Sequence, residues 1–392
     1  MQLNNSGLMD TASFQRAGYR LPSFDRKAMT EKTLEAPAWI HFGAGNIFRA
    51  FQANLMQSLL DEGLSDTGLI VAEGFDYEIV KKMYRPHDDL SILVTLKADG
   101  QIEKTVIGSI ARSLILDSND LPEYEELKKI FRSPSLQMAS FTITEKGYSL
   151  VDGKGQLLPS VEKDFSKGSA QPESYIGKLT SLVYDRFSAG KLPLALVSMD
   201  NCSHNGSKLY EAVHSFAKRW CENGLADPAF LSYLEDPASV SFPWSMIDKI
   251  TPRPDPKLEA LLMADGIEDL SPVITGKNTY VAPFVNAEEC EYLVIEDLFP
   301  NGRPPLEKAG VIFTDRETVN KVEKMKEIEM LSEFIADHSR TLPVILAVEE
   351  EDSERQININ RLAETVGTYA HVFLLSKRSI PETFTKKHSD TN

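Results

Sequence analysis

The stretch Ala38-Trp39-Ile40-His41-Phe42-Gly43-Ala44-Gly45-Asn46-Ile47-Phe48-Arg49-Ala50-Phe51 sets the fold. A short apolar run meets two glycines one residue apart, and a helical pattern follows. Phe48, Phe51, Leu55 and Leu59 recur at helical spacing. Strand, glycine turn and helix in that order place backbone N–H groups and a helix N-terminus against a pyrophosphate. Phe48 stands where the full dinucleotide fingerprint has its third glycine. From Gly43 and Gly45 alone, a dinucleotide site and a tight turn without ligand both stay open.

Outward from this turn the chain alternates strands and helices. Thr67-Gly68-Leu69-Ile70-Val71-Ala72-Glu73 is expected to be the second parallel strand. It ends in Glu73-Gly74-Phe75-Asp76, where a dinucleotide fold keeps its ribose-binding carboxylate. Glu73 or Asp76 would accept from a 2′-hydroxyl and repel a 2′-phosphate, which favours NAD over NADP; both also suit an ordinary loop. Residues 91–96 and 102–107 flank Ala98-Asp99-Gly100, a hairpin signal. Residues 137–144 and 192–199 are further strands. The second runs into the polar cluster Asp200-Asn201-Cys202-Ser203-His204-Asn205-Gly206, at the strand end where open parallel sheets hold ligands. Helical patterns cover 124–131, 174–189 and 208–222, giving an α/β fold of Rossmann type. Residues 1–36 are a polar lead-in. Pro252, Pro254 and Pro256 crowd a rigid crossing, and Phe299-Pro300-Asn301-Gly302-Arg303-Pro304-Pro305 is turn-rich. The expected division is a cofactor-binding domain over 1–284 and a shortened, mainly helical C-terminal domain over 285–392.

Composition narrows the partners. The 392 residues carry 58 acidic and 42 basic side chains, a net charge of −16. Nucleic acid and anionic membrane reward clustered Lys and Arg, so neither is an expected partner. Cys202, Cys221 and Cys290 form no Cys-x-x-Cys pair, and no apolar run reaches membrane-spanning length. No signal-peptide layout opens the chain. The expectation is a soluble cytoplasmic protein with no metal and a small-molecule substrate, its oligomeric state open.

Six ordered motifs go further. They are Gly43-Ala44-Gly45-Asn46-Ile47-Phe48-Arg49, Thr144-Glu145-Lys146-Gly147-Tyr148, Ser198-Met199-Asp200-Asn201 with His204-Asn205-Gly206, Ser245-Met246-Ile247-Asp248-Lys249-Ile250-Thr251-Pro252, Val294-Ile295-Glu296-Asp297 with Phe299-Pro300-Asn301-Gly302-Arg303-Pro304, and Glu323-Lys324-Met325-Lys326. In these the chain resembles the polyol-specific long-chain dehydrogenase (mannitol dehydrogenase) family. The resemblance implies metal-free hydride transfer between a nicotinamide cofactor and a secondary alcohol or ketone of a sugar acid or polyol. It puts the family's catalytic lysine at Lys326, a proton-moving glutamate at Glu323 and an oxyanion-holding asparagine at Asn201. Asp248, Asn205 and Arg303 fall where substrate contacts are expected. Gly43, Gly45, Asn46, Ile47, Phe48, Arg49, Glu73, Asp76, Glu145 and Gly147 would lie along the cofactor. Among substrates, fructuronate/D-mannonate leads through Glu288-Glu289-Cys290-Glu291-Tyr292; mannitol/fructose is next and tagaturonate/altronate third.

The resemblance stops after Lys326. Where the family has an asparagine and then a histidine, this chain has Leu331 and Phe334. Residues 342–348 and 370–375 look strand-like around a helix-like 357–369, unlike the family's helical domain. A catalytically impaired, truncated or degenerate dinucleotide-binding paralogue is therefore the alternative expectation.

Overall fold

A computed structural model describes residues 1–289, 291–324 and 326, together with the backbone of 345–348 and 373–376. The centre is a six-stranded sheet of β1 (Trp39–Phe42), β2 (Leu69–Glu73), β3 (Ile110–Ile115), β4 (Met138–Phe141), β5 (Leu194–Ser198) and β6 (Val240–Ser241). Its order is β3-β2-β1-β4-β5-β6, and every neighbouring pair is parallel. The order reverses between β1 and β4, which opens a crevice beyond their C-terminal ends.

Every residue of β1, β2, β4 and β5 is buried, as both covered faces of a parallel sheet require. Alternate residues sort to opposite layers. Trp39, Leu69, Val71 and Met138 meet Phe48, Phe51, Leu55 and Leu59. These come from a π-helical turn (Phe48–Gln52) and the helix α1 (Ala53–Asp61) that continues it. Ile40, Phe42, Ile70 and Phe141 face the other way, against α2 (Leu121–Arg132), α3 (Tyr175–Ser188) and α4 (Asn205–Glu222). Each large apolar side chain so buried contributes about 1.5–3 kcal/mol of transfer free energy.

The expected hairpin is present, with Ser91–Leu96 antiparallel to Ile102–Ile107. The expected boundary at residue 284 falls on the first residue of the strand Phe284–Glu288, which pairs along the whole of Ser91–Leu96. Glu291–Glu296 likewise pairs with Ser245–Lys249. The compact unit therefore runs from Met1 to Val319, and Asn320–Asn392 forms a second. The proline-rich crossing leads into the helix Pro256–Ala264, whose Leu258 and Leu262 are buried in a core with Ile92 and Phe284. In the second unit, Ile345–Val348 and Phe373–Ser376 pair in parallel. The helix expected over 357–369, and the mainly helical character expected of the C-terminal domain, lie outside the described residues. Among the described residues, no helix is long and apolar enough to cross a membrane.

Candidate functional site

The glycine turn closes β1. Gly43 donates its N–H to the Ala72 carbonyl at 2.9 Å and takes φ +109°. A Cβ there would stand 2.2 Å from the Thr142 carbonyl oxygen, so only glycine lets β1 and β4 part at this point. Gly45 differs: a Cβ there would meet nothing within 4 Å. It borders a cleft of 560 Å³ lined by Gly43–Gly45, Glu73, Thr142–Thr144, Gly147 and Tyr175, among others.

Glu73 closes the turn from β2. Its Oε2 accepts from Ala44 N at 2.8 Å, and its Oε1 accepts from Phe75 N at 2.7 Å and Asp76 N at 3.0 Å. A carboxylate offers about four acceptor positions. Three are filled, and one remains on Oε2 beside the glycine turn. Asp76 also lines the cleft, but it is buried and its carboxylate accepts from Thr275 Oγ1 at 2.5 Å. Both acids keep acceptor positions at the cleft, and Glu73 is the one bonded to the glycine turn, through Ala44 N.

The other residues expected along the cofactor divide. None of Asn46, Ile47, Phe48 and Arg49 lines the cleft. Phe48 stacks on the His41 ring at 4.5 Å, and the wide π turn accommodates it where a third glycine would bring helix and strand together. Arg49 is fully buried and donates to the Ala282 carbonyl at 2.6 Å and to Asn46 Oδ1 at 2.8 Å. Both side chains are thus spent on internal structure. Gly147 lines the cleft, whereas Glu145 is exposed and pairs with Lys208 at 2.5 Å.

The expected catalytic and substrate residues divide similarly. Asn201 is exposed just past β5, at the sheet edge where ligands sit. Asn205 is buried with its amide fully engaged: Nδ2 donates to the carbonyls of Asp200 (3.0 Å) and Ser245 (2.9 Å), and Oδ1 accepts from Ser245 N (3.0 Å). It fastens α4 to the neighbouring strand. Arg303 pairs with Asp297 at 3.0 Å and Glu307 at 2.5 Å, and its guanidinium lies 3.4 Å from the Phe313 ring centre. It is a structural clamp. Asp248 is half-buried in the strand Ser245–Lys249, opposite Tyr292. Glu323 and Lys326 are helical residues of the second unit, three positions apart, and both are buried.

The structure adds residues that the motifs did not single out. Asp200, beside Asn201, accepts from Ile143 N and Thr144 N at 3.0 and 2.8 Å. Thr144 takes φ +64°, ψ 158°, a region that costs a β-branched residue on the order of 1–3 kcal/mol. Burial raises the Asp200 pKa above the ordinary carboxylate range. The Tyr175 hydroxyl is buried and has no hydrogen-bond partner, and burial raises its pKa well above the usual value. A polar strand end was the available signal for Asp200, and Thr144 opens one of the six motifs, but neither signal reveals the bond between them.

His41 lies beneath the turn, with Nδ1 2.6 Å from Ser140 Oγ and Nε2 2.8 Å from Thr142 Oγ1. Burial pulls its pKa from 6.5 down to about 3. The folded protein therefore keeps the imidazole neutral while the unfolded chain protonates it below about pH 6.5. Stability from this group is full above that pH and is lost as pH falls toward 3. His41→Asn should thus flatten the acid dependence. Between pH 7.5 and 5 its unfolding free energy in urea should fall by about 2 kcal/mol less than that of the parent. Equal acid slopes would remove His41 as the cause.

The cradle at Gly43, the open face at Gly45, the remaining Glu73 acceptor and the partnerless Tyr175 hydroxyl fit a dinucleotide, which presents phosphates and ribose hydroxyls together. Residues 37–308 match the mannitol dehydrogenase Rossmann domain. The D-mannonate oxidoreductase of Thermotoga maritima is 50% identical over 328 residues, 83% of this chain and 60% of that protein. The mannitol 2-dehydrogenase of Cereibacter sphaeroides is 30% identical over 318 residues, 78% of this chain and 58% of that protein. A solved Pseudomonas fluorescens mannitol 2-dehydrogenase, in ternary complex with NAD and D-mannitol, has a TM-score of 0.67 at 25% identity, covering 93% of this chain and 74% of its own. A substrate-free D-sorbitol dehydrogenase has a TM-score of 0.66 at 27% identity, covering 82% and 61%. The chain spans about 60% of the length of these curated relatives. With residues 37–308 of the 392 matching the family's domain and a relative 50% identical over 83% of the chain, the chain belongs to the mannitol dehydrogenase family.

Proposed function

We propose that this chain is an NAD(H)-dependent oxidoreductase acting on a sugar acid or polyol, with fructuronate/D-mannonate the favoured pair and mannitol/fructose next. The observation that carries the reading is the Gly43–Gly45 turn opening on a cleft where Glu73 keeps one acceptor position. The likeness to a D-mannonate oxidoreductase supports the substrate class. In this proposal the backbone of Gly43–Gly45 takes the pyrophosphate and Glu73 Oε2 accepts a ribose hydroxyl. When bound, the nicotinamide supplies the acceptor or donor of the hydride. Lys326, neutral, takes the alcohol proton during oxidation, and its ammonium returns a proton to the ketone oxygen during reduction. Glu323, one turn away, passes protons to and from the lysine. Asn201 donates its amide N–H to the reacting oxygen, and Asp248 borders the substrate. The partner is a small molecule, and the setting is the cytoplasm.

A second reading, a dinucleotide-binding protein without turnover, is favoured by Leu331 and Phe334 in place of the family's asparagine and histidine. NADH fluorescence titration and a panel of sugar acids and polyols separate the two. Binding with turnover supports the enzyme; binding without any turnover supports the second reading; no binding removes both.

Glu73 gives a narrower test. Glu73→Gln turns an N–H donor toward the backbone N–H groups that the carboxylate holds, and it removes the charge opposing a 2′-phosphate. The ratio of NADPH to NADH dissociation constants should fall about tenfold, or ~1.4 kcal/mol. A wild-type protein that binds NADH and NADPH equally would remove the role assigned to Glu73.

A further inference from the structure

β5 ends at Ser198, and two residues later the Asp200 carboxylate reaches across to the loop that leaves β4. Its Oδ1 accepts from Thr144 N at 2.8 Å, while its Oδ2 accepts from Ile143 N at 3.0 Å and from the Tyr148 hydroxyl at 2.5 Å. Tyr148 has one proton to give, and the carboxylate receives it; the Ser198 hydroxyl, 2.7 Å from Tyr148 Oη, is then the donor in that second contact. One side chain therefore holds both ends of the loop 143–148.

Between those ends the backbone adopts a conformation that it would not choose unaided. Thr144 sits at φ +64°, ψ 158°, and its carbonyl accepts from Gly147 N at 2.9 Å, which starts the tight turn Glu145–Tyr148. Thr144, Lys146, Gly147 and Ser149 form one wall of the cleft. The residue after Asp200 is Asn201, at the edge of the same sheet.

We propose that Asp200 is a positioning residue: by clamping the strained loop 143–148 to the end of β5, it sets the cleft wall against the cofactor and fixes that wall relative to Asn201. This rests on the reading of the cleft as a nicotinamide-cofactor site. The geometry calls for a carboxylate. Two backbone N–H groups and a phenol all donate toward it, and it can accept from all three. An amide of the same shape would turn its own N–H toward one of them.

The proposal separates positioning from simple stability through a rescue. Glycine occupies φ +64° without strain. If the task of Asp200 is to hold residue 144 there, Thr144→Gly should restore what Asp200→Asn loses. NADH fluorescence titration should show the dissociation constant rising at least tenfold in Asp200→Asn and recovering at least threefold in the Asp200→Asn/Thr144→Gly double variant. Tyr148→Phe keeps the ring and removes one of the three bonds, so it should weaken NADH about threefold even if Asp200→Asn fails to fold. Wild-type protein that binds NADH, together with an Asp200→Asn or Tyr148→Phe variant that matches it, overturns this inference alone. So does a double variant that binds no better than Asp200→Asn. Wild-type protein that binds no NADH overturns the cofactor reading, and the inference with it.

Discussion

Gly43→Ala is expected to abolish NADH binding and to lower the melting temperature by about 4 °C or more, while Gly45→Ala melts like the parent and loses only affinity. The contrast follows from what each added methyl meets. At Gly43 it would lie 2.2 Å from the Thr142 carbonyl oxygen and 3.0 Å from its carbon, at φ +109°. Backbone of a central strand cannot step aside as a flexible side chain can. Overpacking costs roughly 1–3 kcal/mol, and the positive φ adds about 1–2 kcal/mol. A loss near 3 kcal/mol shifts the melting temperature by about 1.5 °C per kcal/mol in a unit running from Met1 to Val319. At Gly45 the methyl meets nothing within 4 Å. Its cost to stability should stay within about 0.5 kcal/mol. It fills the space through which the backbone must approach a pyrophosphate, so the NADH dissociation constant should rise at least tenfold. Thermal melts by circular dichroism, paired with NADH titrations, check both. A Gly45→Ala protein with parental NADH affinity would place the cofactor somewhere other than this turn.

Lys326→Ala is expected to lower turnover by about 10³-fold while the NADH dissociation constant changes less than threefold. General acid–base groups contribute roughly 10²–10⁴-fold, and a proton must leave or reach the substrate oxygen in each direction of the proposed reaction. Lys326→Arg should not restore activity, because a guanidinium stays charged at any accessible pH and cannot take the alcohol proton. Glu323→Gln should cost less, about tenfold, since it acts through the lysine. Single-turnover measurements with the best substrate of the panel provide the readout. Near-parental turnover in Lys326→Ala would take the role of base away from this residue.

What the sequence disclosed depended on whether the governing contacts were local. The strands β1, β2, β4 and β5 are legible because burial on both faces demands continuous apolar runs. The turn at Gly43 is legible because a positive φ against a neighbouring strand demands glycine. Polar residues are different. Arg49, Asn205 and Arg303 have the chemistry of ligand contacts, yet their partners are a carbonyl 233 residues away, a strand 40 residues away and a local acidic pair. A side chain's type says what it can bond to, and only the fold says which partner has already claimed it. Asp76 has likewise given one of its carboxylate positions to Thr275. Thr144 fails in the opposite sense, since its residue type argues against the conformation that Asp200 imposes on it. The boundary expected at 284 falls inside the fold because the strand that begins there pairs with one nearly 200 residues earlier, a contact that no local pattern announces.

The bond from Arg49 to the Ala282 carbonyl, 233 positions later, and that from Asp76 to Thr275, 199 positions later, bear on how the chain matures as it is made. The glycine turn leaves the ribosome early, but the contacts that anchor its first helical turn and the end of β2 are to residues synthesised far later. Such long closures are slow and must await their partners. A nascent chain halted before residue 275 would own the glycines and lack the frame that steadies them. Cofactor capture during synthesis should therefore switch on late and abruptly, once the segment around 275–282 has emerged and docked, instead of growing gradually with chain length.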